Sequence, residues 1–410
     1  MATIHRRRGL AEFCPRGTRA VVGLATTLCL GAATSLLAQS TRQQREACLA
    51  GRLPPTETIY ACSKLIEYGL LDPDLLAGAH TARGNAYDDL DQMEPALADY
   101  AAALVVQPDS AFALRNRGVA LHRHKRDGEA LPDLDRAIEI DSRYGAAYEV
   151  RAGVLLDLAA RADPAQQQSM LQRALADATR ALELQSREHH VRLLFGLMSV
   201  HRALGDIDAA IDDVTLAIAI DPSITTDALV DRGNLRRRRG SLVEAAADYS
   251  QALSRDGAHV NARWGRAVTR FELADFTGAL NDLSDMLVAQ PQATRLRGMR
   301  GIVYLRTGDY RLAVQDLERP LIEMPDDPAL LYCAGVAYTL AGDAATAAPL
   351  LERAVSRRPD VSVTTGLECT PHTTGQQLAV GDKVCLPPTR EPAARSIRWT
   401  ADRDAYLRRI

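Results

Sequence analysis

Residues Ala77–Ser110 read AGAHTARGNAYDDLDQMEPALADYAAALVVQPDS, and this stretch decides the fold. Gly84, Tyr87, Ala96, Tyr100, Ala103 and Pro108 occupy positions 8, 11, 20, 24, 27 and 32 of a 34-residue unit. Small side chains fall where two helices would cross, large ones where a core would form between them. A proline closes the unit, because it cannot continue a helix. The pattern returns in Ala111–Tyr144 with Gly118, Leu121, Ala130, Leu134 and Ala137. It continues through Val191–Ile224, Thr226–His259, Val260–Ala293, Thr294–Asp327 and Pro328–Val361. The third unit, 145–188, keeps Tyr148, Ala152 and Leu155, but its Ala174, Ala178 and Ala181 arrive late. Asp163-Pro164 is a strong helix start there, a capping residue followed by proline at the first helical position. The extra residues therefore read as an N-terminal extension of that unit's second helix.

This spacing resembles the tetratricopeptide repeat family, and the resemblance covers residues 77–361 as eight units. It implies an all-α fold, a right-handed superhelical solenoid of helix-turn-helix repeats in which each unit packs on its neighbours. The ends of such an array expose an apolar face and need a cap. Residues 41–76 fit that role as a helical hairpin, with Gly51 and Pro54-Pro55 between its two helices. The layout resembles the cysteine-bearing leader of exported bacterial tetratricopeptide proteins.

Residues 1–38 form a targeting segment: a basic stretch with Arg6, Arg7, Arg8, Arg16 and Arg19, then an uncharged apolar run from Ala20 to Leu37. Two readings fit, a signal cleaved after Ala38 or a retained membrane anchor. Both export the repeats, to a periplasmic or envelope-associated position, since basic residues stay on the cytoplasmic side. Loss of residues 1–38 takes the formal charge from -3 to -7, because five arginines and one glutamate leave. An acidic exported chain argues against nucleic acid as the partner.

An oxidising compartment favours disulfides between the local cysteine pairs, Cys48 with Cys62 and Cys369 with Cys385. Cys333, on an apolar helix face, reads as a buried free thiol. Residues 362–410 are a separate extension, in which LAVGDKVCL predicts a small hairpin closed by the second bridge, and Glu391–Ile410 reads either as a short amphipathic helix or as disorder. A zinc site using His372 lacks a fourth ligand at the right spacing.

No nucleotide-binding loop, HExxH or Gly-x-Ser-x-Gly occurs, so neither a catalytic site nor a cofactor is expected. His122/His124 and His189/His190 read as exposed helix-end residues without ligand partners. Asp133, Asp212, Asp213 and Asp282 read as a solvated outer face. The resemblance implies a groove lined by the first helices. Its repeat positions assign Arg192, Phe195, Arg202, Asn234, Arg237, Arg238, Trp264, Phe271, Arg295 and Arg306 to a basic, aromatic centre. Arginine and tryptophan are enriched at binding hot spots, and arginine grips carboxylates with two hydrogen bonds. The expected partner is an extended or helical, acidic segment of another envelope protein, bound by a non-enzymatic scaffold. The alternatives are a membrane-anchored assembly factor, and a groove for an anionic glycan or lipid headgroup. The carboxylate clamp that some family members use is not spelled here. Its positions read Thr81, Asn85, Asn116, Ala146 and Val150, without a cation among them.

Overall fold

The computed structural model describes residues 42–67, 69 and 71–357, and the backbone of two short strands beyond them. The targeting segment and the tail Glu391–Ile410 lie outside the described residues. The chain divides into two compact units, Met1–Leu184 and Gln185–Ile410.

In the first unit, helix α1 (residues 42–49) is followed by α2 (Pro55–Glu67), α3 (Pro73–Asp89), α4 (Met93–Val106), α5 (Ala111–Arg123), α6 (Asp127–Ile140), α7 (Gly145–Ala159) and α8 (Pro164–Leu184). The second unit holds α9 (His190–Leu204), α10 (Ile207–Ile220), α11 (Thr225–Arg239), α12 (Leu242–Arg255), α13 (Val260–Glu272) and α14 (Phe276–Ala289). It ends with α15 (Thr294–Thr307), α16 (Tyr310–Glu323), α17 (Pro328–Ala341) and α18 (Ala344–Arg357). Within each unit, successive helices pack on one another as an all-α repeat array. Helix α3 begins four residues before Ala77, because Asp72 caps it by accepting from the Leu75 backbone N–H at 2.8 Å.

The periodic small residues carry the packing. Ala96, Ala130, Ala174, Ala210, Ala245, Ala279 and Ala313 are fully buried where paired helices cross. A Cβ at Gly84 would stand 2.8 Å from the Tyr100 ring, and one at Gly233 2.8 Å from the Tyr249 ring, so a larger residue at either place would separate the pair. The turns between paired helices of the repeats use a left-handed residue, except the longer one between α7 and α8. Gly205, Gly240, Gly308 and Gly342 supply it in the second unit, while Asp91, Lys125 and Ala274 adopt it at φ near +60°. Helix α8 has 21 residues where most second helices have 14, as the Asp163-Pro164 start predicts. Asp163 accepts from the backbone of Ala165 and Gln166, both at 3.0 Å. Helix α16 runs through Pro320, which is buried where most repeats place alanine.

A second periodicity is ionic, and here the structure corrects the reading of the aspartates as solvated. Asp99, Asp133, Asp177, Asp248, Asp282 and Asp316 are 2–8% exposed. Each is gripped by two nitrogens of an arginine on the preceding helix: Arg83, Arg117, Arg151, Arg232, Arg266 and Arg300, at 2.6–3.1 Å. The arginine lies 16 residues before its aspartate in five pairs and 26 before it in the third repeat, which carries the insertion. Five of these arginines also reach the previous second helix. Arg83 meets Ser63, Arg151 meets Asp135, Arg232 meets Thr215, Arg266 meets Ser250 and Arg300 meets Ser284. In α9/α10 the pair is replaced by His201 Nδ1 and Asp213 Oδ2 at 2.7 Å. Burial pushes the Asp99 carboxyl up, but hydrogen bonds from Arg83 and His80 outweigh it and hold the group below the usual range. Burial pushes the Cys333 thiol up to about 12, which leaves it inert.

The Cys48 and Cys62 Cα atoms stand 4.8 Å apart, tying α1 to α2 within a small apolar cluster with Leu65 and Ala79. At the other end, strand β1 (Glu368–Thr370) pairs antiparallel with β2 (Val384–Leu386), with Cys369 opposite Cys385.

Removing one partner of a buried pair strands the other charge. Asp248→Ala leaves Arg232 and Arg236 facing an empty site, and should destabilise the second unit by about 3 kcal/mol in urea unfolding. Arg126→Ala, which removes a surface pair with Glu129, should leave the transition nearly unmoved. Equal shifts in the two variants would show that burial does not set the importance of these pairs.

Candidate partner-binding face

The ten groove residues lie in the second unit, on α9, α11, α13 and α15, the first helices of their pairs. Helix α11 packs directly on α13, so side chains one repeat apart can meet. Arg192, Arg202, Asn234, Arg238 and Arg295 are exposed. Phe195 is half-buried against the cluster of Met198, Ile211 and Leu235. Asn234 accepts from the Tyr249 hydroxyl at 2.8 Å. Burial pushes that phenol up to about 12, so it stays protonated and keeps donating.

Two contacts cross from one first helix to the next. Arg237 Nη1 donates to Glu272 Oε1 at 2.9 Å, which ties α11 to α13. The Arg295 guanidinium sits 4.5 Å from the centroid of the half-buried Trp264 ring, which ties α13 to α15. A guanidinium over an indole face is a cation–π contact that also fixes the ring's orientation. Arg306 lies 5.5 Å from the Phe276 ring centroid, and burial lowers its pKa. The Arg202 charge also reaches Asp231, whose carboxyl burial pushes up and Arg202 pulls back.

One of the ten is misplaced by the repeat-position mapping. Phe271 is 5% exposed and packs at a tilt against Phe276 in the core of α13, α14 and α15, so it offers nothing to a partner. It lies one residue before Glu272, the Arg237 partner, and the helical turn carries the two side chains to different faces. The face that remains pairs Trp264 with Arg295, with Arg202 exposed on α9 and Arg238 exposed on α11. It can hold a carboxylate-bearing chain through guanidinium forks and cover an apolar side chain with the indole.

The histidines depart further from expectation. His122 Nδ1 stands 2.6 Å from Asp127 Oδ1, and His124 Nε2 stands 3.7 Å from Asp88 Oδ1 and from Asp91 Oδ1. Both histidines therefore have carboxylate neighbours, contrary to the reading of them as solitary helix ends. The signal was the repeat period itself: His122 and Asp157 are separated by one unit plus one residue. Among the described residues, the buried side-chain atoms without a hydrogen-bond partner are Asp88 Oδ1, Arg115 Nε, Asn116 Nδ2, His124 Nε2 and Asp127 Oδ2. All belong to the first two helix pairs. No helix among the described residues is long and apolar enough to cross a membrane.

The tetratricopeptide repeat family model matches residues 81–144, 230–294 and 299–362. Similar solved structures include a thermophilic TPR protein of Thermus thermophilus, 21% identical, covering 48% of this chain and 99% of that one with a TM-score of 0.38. A tetratricopeptide repeat protein of Parabacteroides merdae is 17% identical, covering 68% of this chain and 98% of its own, with a TM-score of 0.45. YrrB, described as a TPR protein with an unusual peptide-binding site, is 22% identical, covering 49% and 95%, with a TM-score of 0.40. No curated protein matches the sequence.

The Arg237–Glu272 contact is partly exposed, with side chains 34% and 23% accessible. A double-mutant cycle on Arg237→Ala and Glu272→Ala, followed by urea unfolding, should give a coupling of about 0.5–1 kcal/mol. Zero coupling would free Arg237 from its structural duty and return it to the partner face.

Proposed function

Because the chain is a tetratricopeptide repeat protein, we propose that it is an exported, non-enzymatic scaffold. It binds an extended or helical acidic segment of an envelope protein on the first-helix face of its second unit. The observation that carries this reading is the Trp264–Arg295 stack, with Arg202 and Arg238 exposed on the earlier first helices α9 and α11. A half-buried indole braced by a guanidinium is preorganised, so little side-chain entropy is lost when a partner covers it. The surrounding arginines supply charge complementarity, which governs encounter rate and its salt dependence. Arg237 and Phe271 are left to hold the helices.

The second reading is a membrane-anchored assembly factor. The uncharged run from Ala20 to Leu37 favours it, and it differs from the first in keeping residues 1–38 and in building its complex with the convex face. Export in either form suits two disulfides, Cys48–Cys62 and Cys369–Cys385, and a free Cys333.

Affinity capture from envelope extract, with wild-type chain and with variants as bait, tests the binding face. Arg238→Glu should weaken capture and flatten its dependence on salt. Trp264→Ala should cost about 2 kcal/mol or more in affinity for the captured partner. Full retention of binding by both variants, with unchanged circular dichroism, would move the site off this face.

Intact mass and thiol counting on envelope material test export. A cleaved chain should begin at Gln39 and show one free thiol after denaturation without reductant. Residues 1–38 still attached would select the anchored form; in the cleaved chain, three free thiols would remove one bridge and five would remove both.

A further inference from the structure

One corner of the first unit gathers three potential metal ligands. His122 lies in the last turn of α5, Asp127 opens α6, and Asp157 lies on α7. One ligand atom from each lies within 4.8 Å of the other two. Asp127 is 1% exposed, and its Oδ2 accepts no hydrogen bond, while Oδ1 takes the His122 contact. A buried carboxylate oxygen without a donor is costly. Beside His122, long basic side chains offset the two carboxylates. Arg161 Nη1 stands 3.2 Å from Asp127 Oδ2, and Lys125 Nζ stands 3.0 Å from Asp157 Oδ2. Those two side chains are 54% and 67% exposed, so each can swing into water without disturbing a core.

We propose that this corner binds one divalent cation of the zinc or manganese class through His122, Asp127 and Asp157. Two carboxylates are neutralised equally well by one arginine and one lysine or by one divalent ion. Entry of the ion releases Arg161 and Lys125 to solvent and leaves the corner's charge unchanged. An imidazole with two carboxylates is a mixed nitrogen–oxygen set, which suits Zn2+ or Mn2+ better than the all-oxygen preference of Ca2+ and Mg2+. Bonds of about 2.0–2.2 Å place ligand atoms roughly 3.3–3.6 Å apart, so the widest pair must close by roughly 1 Å. Asp157, partly exposed on its helix, is the ligand with room to make that movement. Three protein ligands leave further positions for water. Because α5, α6 and α7 each contribute one ligand, the ion would clamp the second helix pair to the third.

Zn2+, and separately Mn2+, titrated by calorimetry into chelator-treated full-length chain tests the assignment. Wild-type protein should take up one equivalent more of at least one of the two ions than Asp157→Asn and His122→Gln. Its melting temperature should rise with that ion by an increment the variants lack. Asp157 is partly exposed, so its variant remains folded and keeps the test decisive even if changes at His122 do not. Arg161→Ala should bind the ion more tightly than wild type, because a competing cation is gone. His124→Gln, which alters the neighbouring cluster with Asp88 and Asp91, should bind as wild type does. Equal uptake by wild type and Asp157→Asn for both ions would overturn the proposal. So would a loss of the extra equivalent in His124→Gln alone, or weaker binding by Arg161→Ala.

Discussion

An aspartate inside a helix pair is the constraint around which the rest is arranged. Six second helices place a carboxylate at 2–8% exposure, where an unpaired charge would be strongly destabilising. It is tolerated because an arginine fork on the preceding helix meets both oxygens. That geometry admits one rotation and one height of the second helix relative to the first. Five of the six arginines also touch the previous second helix, so a single side chain sets the crossing within a repeat and the docking between repeats. Apolar contacts supply most of the stabilisation, but they are permissive about register. The ionic pairs are not.

This division of labour explains what was legible in the sequence. Gly84, Ala96, Tyr100 and Ala103 announce a 34-residue helical pair because steric fit at a crossing depends on residue size, and size is read directly from the residue type. Asp163-Pro164 announces the start of α8 for the same local reason. Asp133 and Asp282 mislead because a charge on an amphipathic helix reads as solvent-facing unless its partner is known. The partner is on another helix, 16 residues earlier, and the arginine itself also reads as surface. Arg and Asp recurring at that fixed separation are the signal that reveals the pairs.

The partner-binding face was legible only in part, for a related reason. Repeat-position mapping names which helix face a residue occupies, but a first helix meets both its own second helix and the next repeat. Phe271 falls on the core side of that boundary, and Arg237 is engaged by Glu272. Trp264 and Arg295 emerge as a unit that neither residue suggests alone. The histidine–aspartate corner was hidden more deeply, since its members come from three helices and are adjacent only once two repeats have been stacked.

The third repeat shows what such a register does for a lengthening chain. Arg151 and Asp177 are 26 residues apart and still form the same two-pronged contact as pairs separated by 16. The additional length leaves through the start of α8, where residues Pro164 to Ser169 are exposed. Spacing along the chain can therefore drift without loss of alignment in space, provided the drift is expelled at a helix start. That corner is a natural port for inserted sequence: evolution could graft new surface there, or an engineer a reporter, while the ion-paired rungs on either side keep count of the repeats.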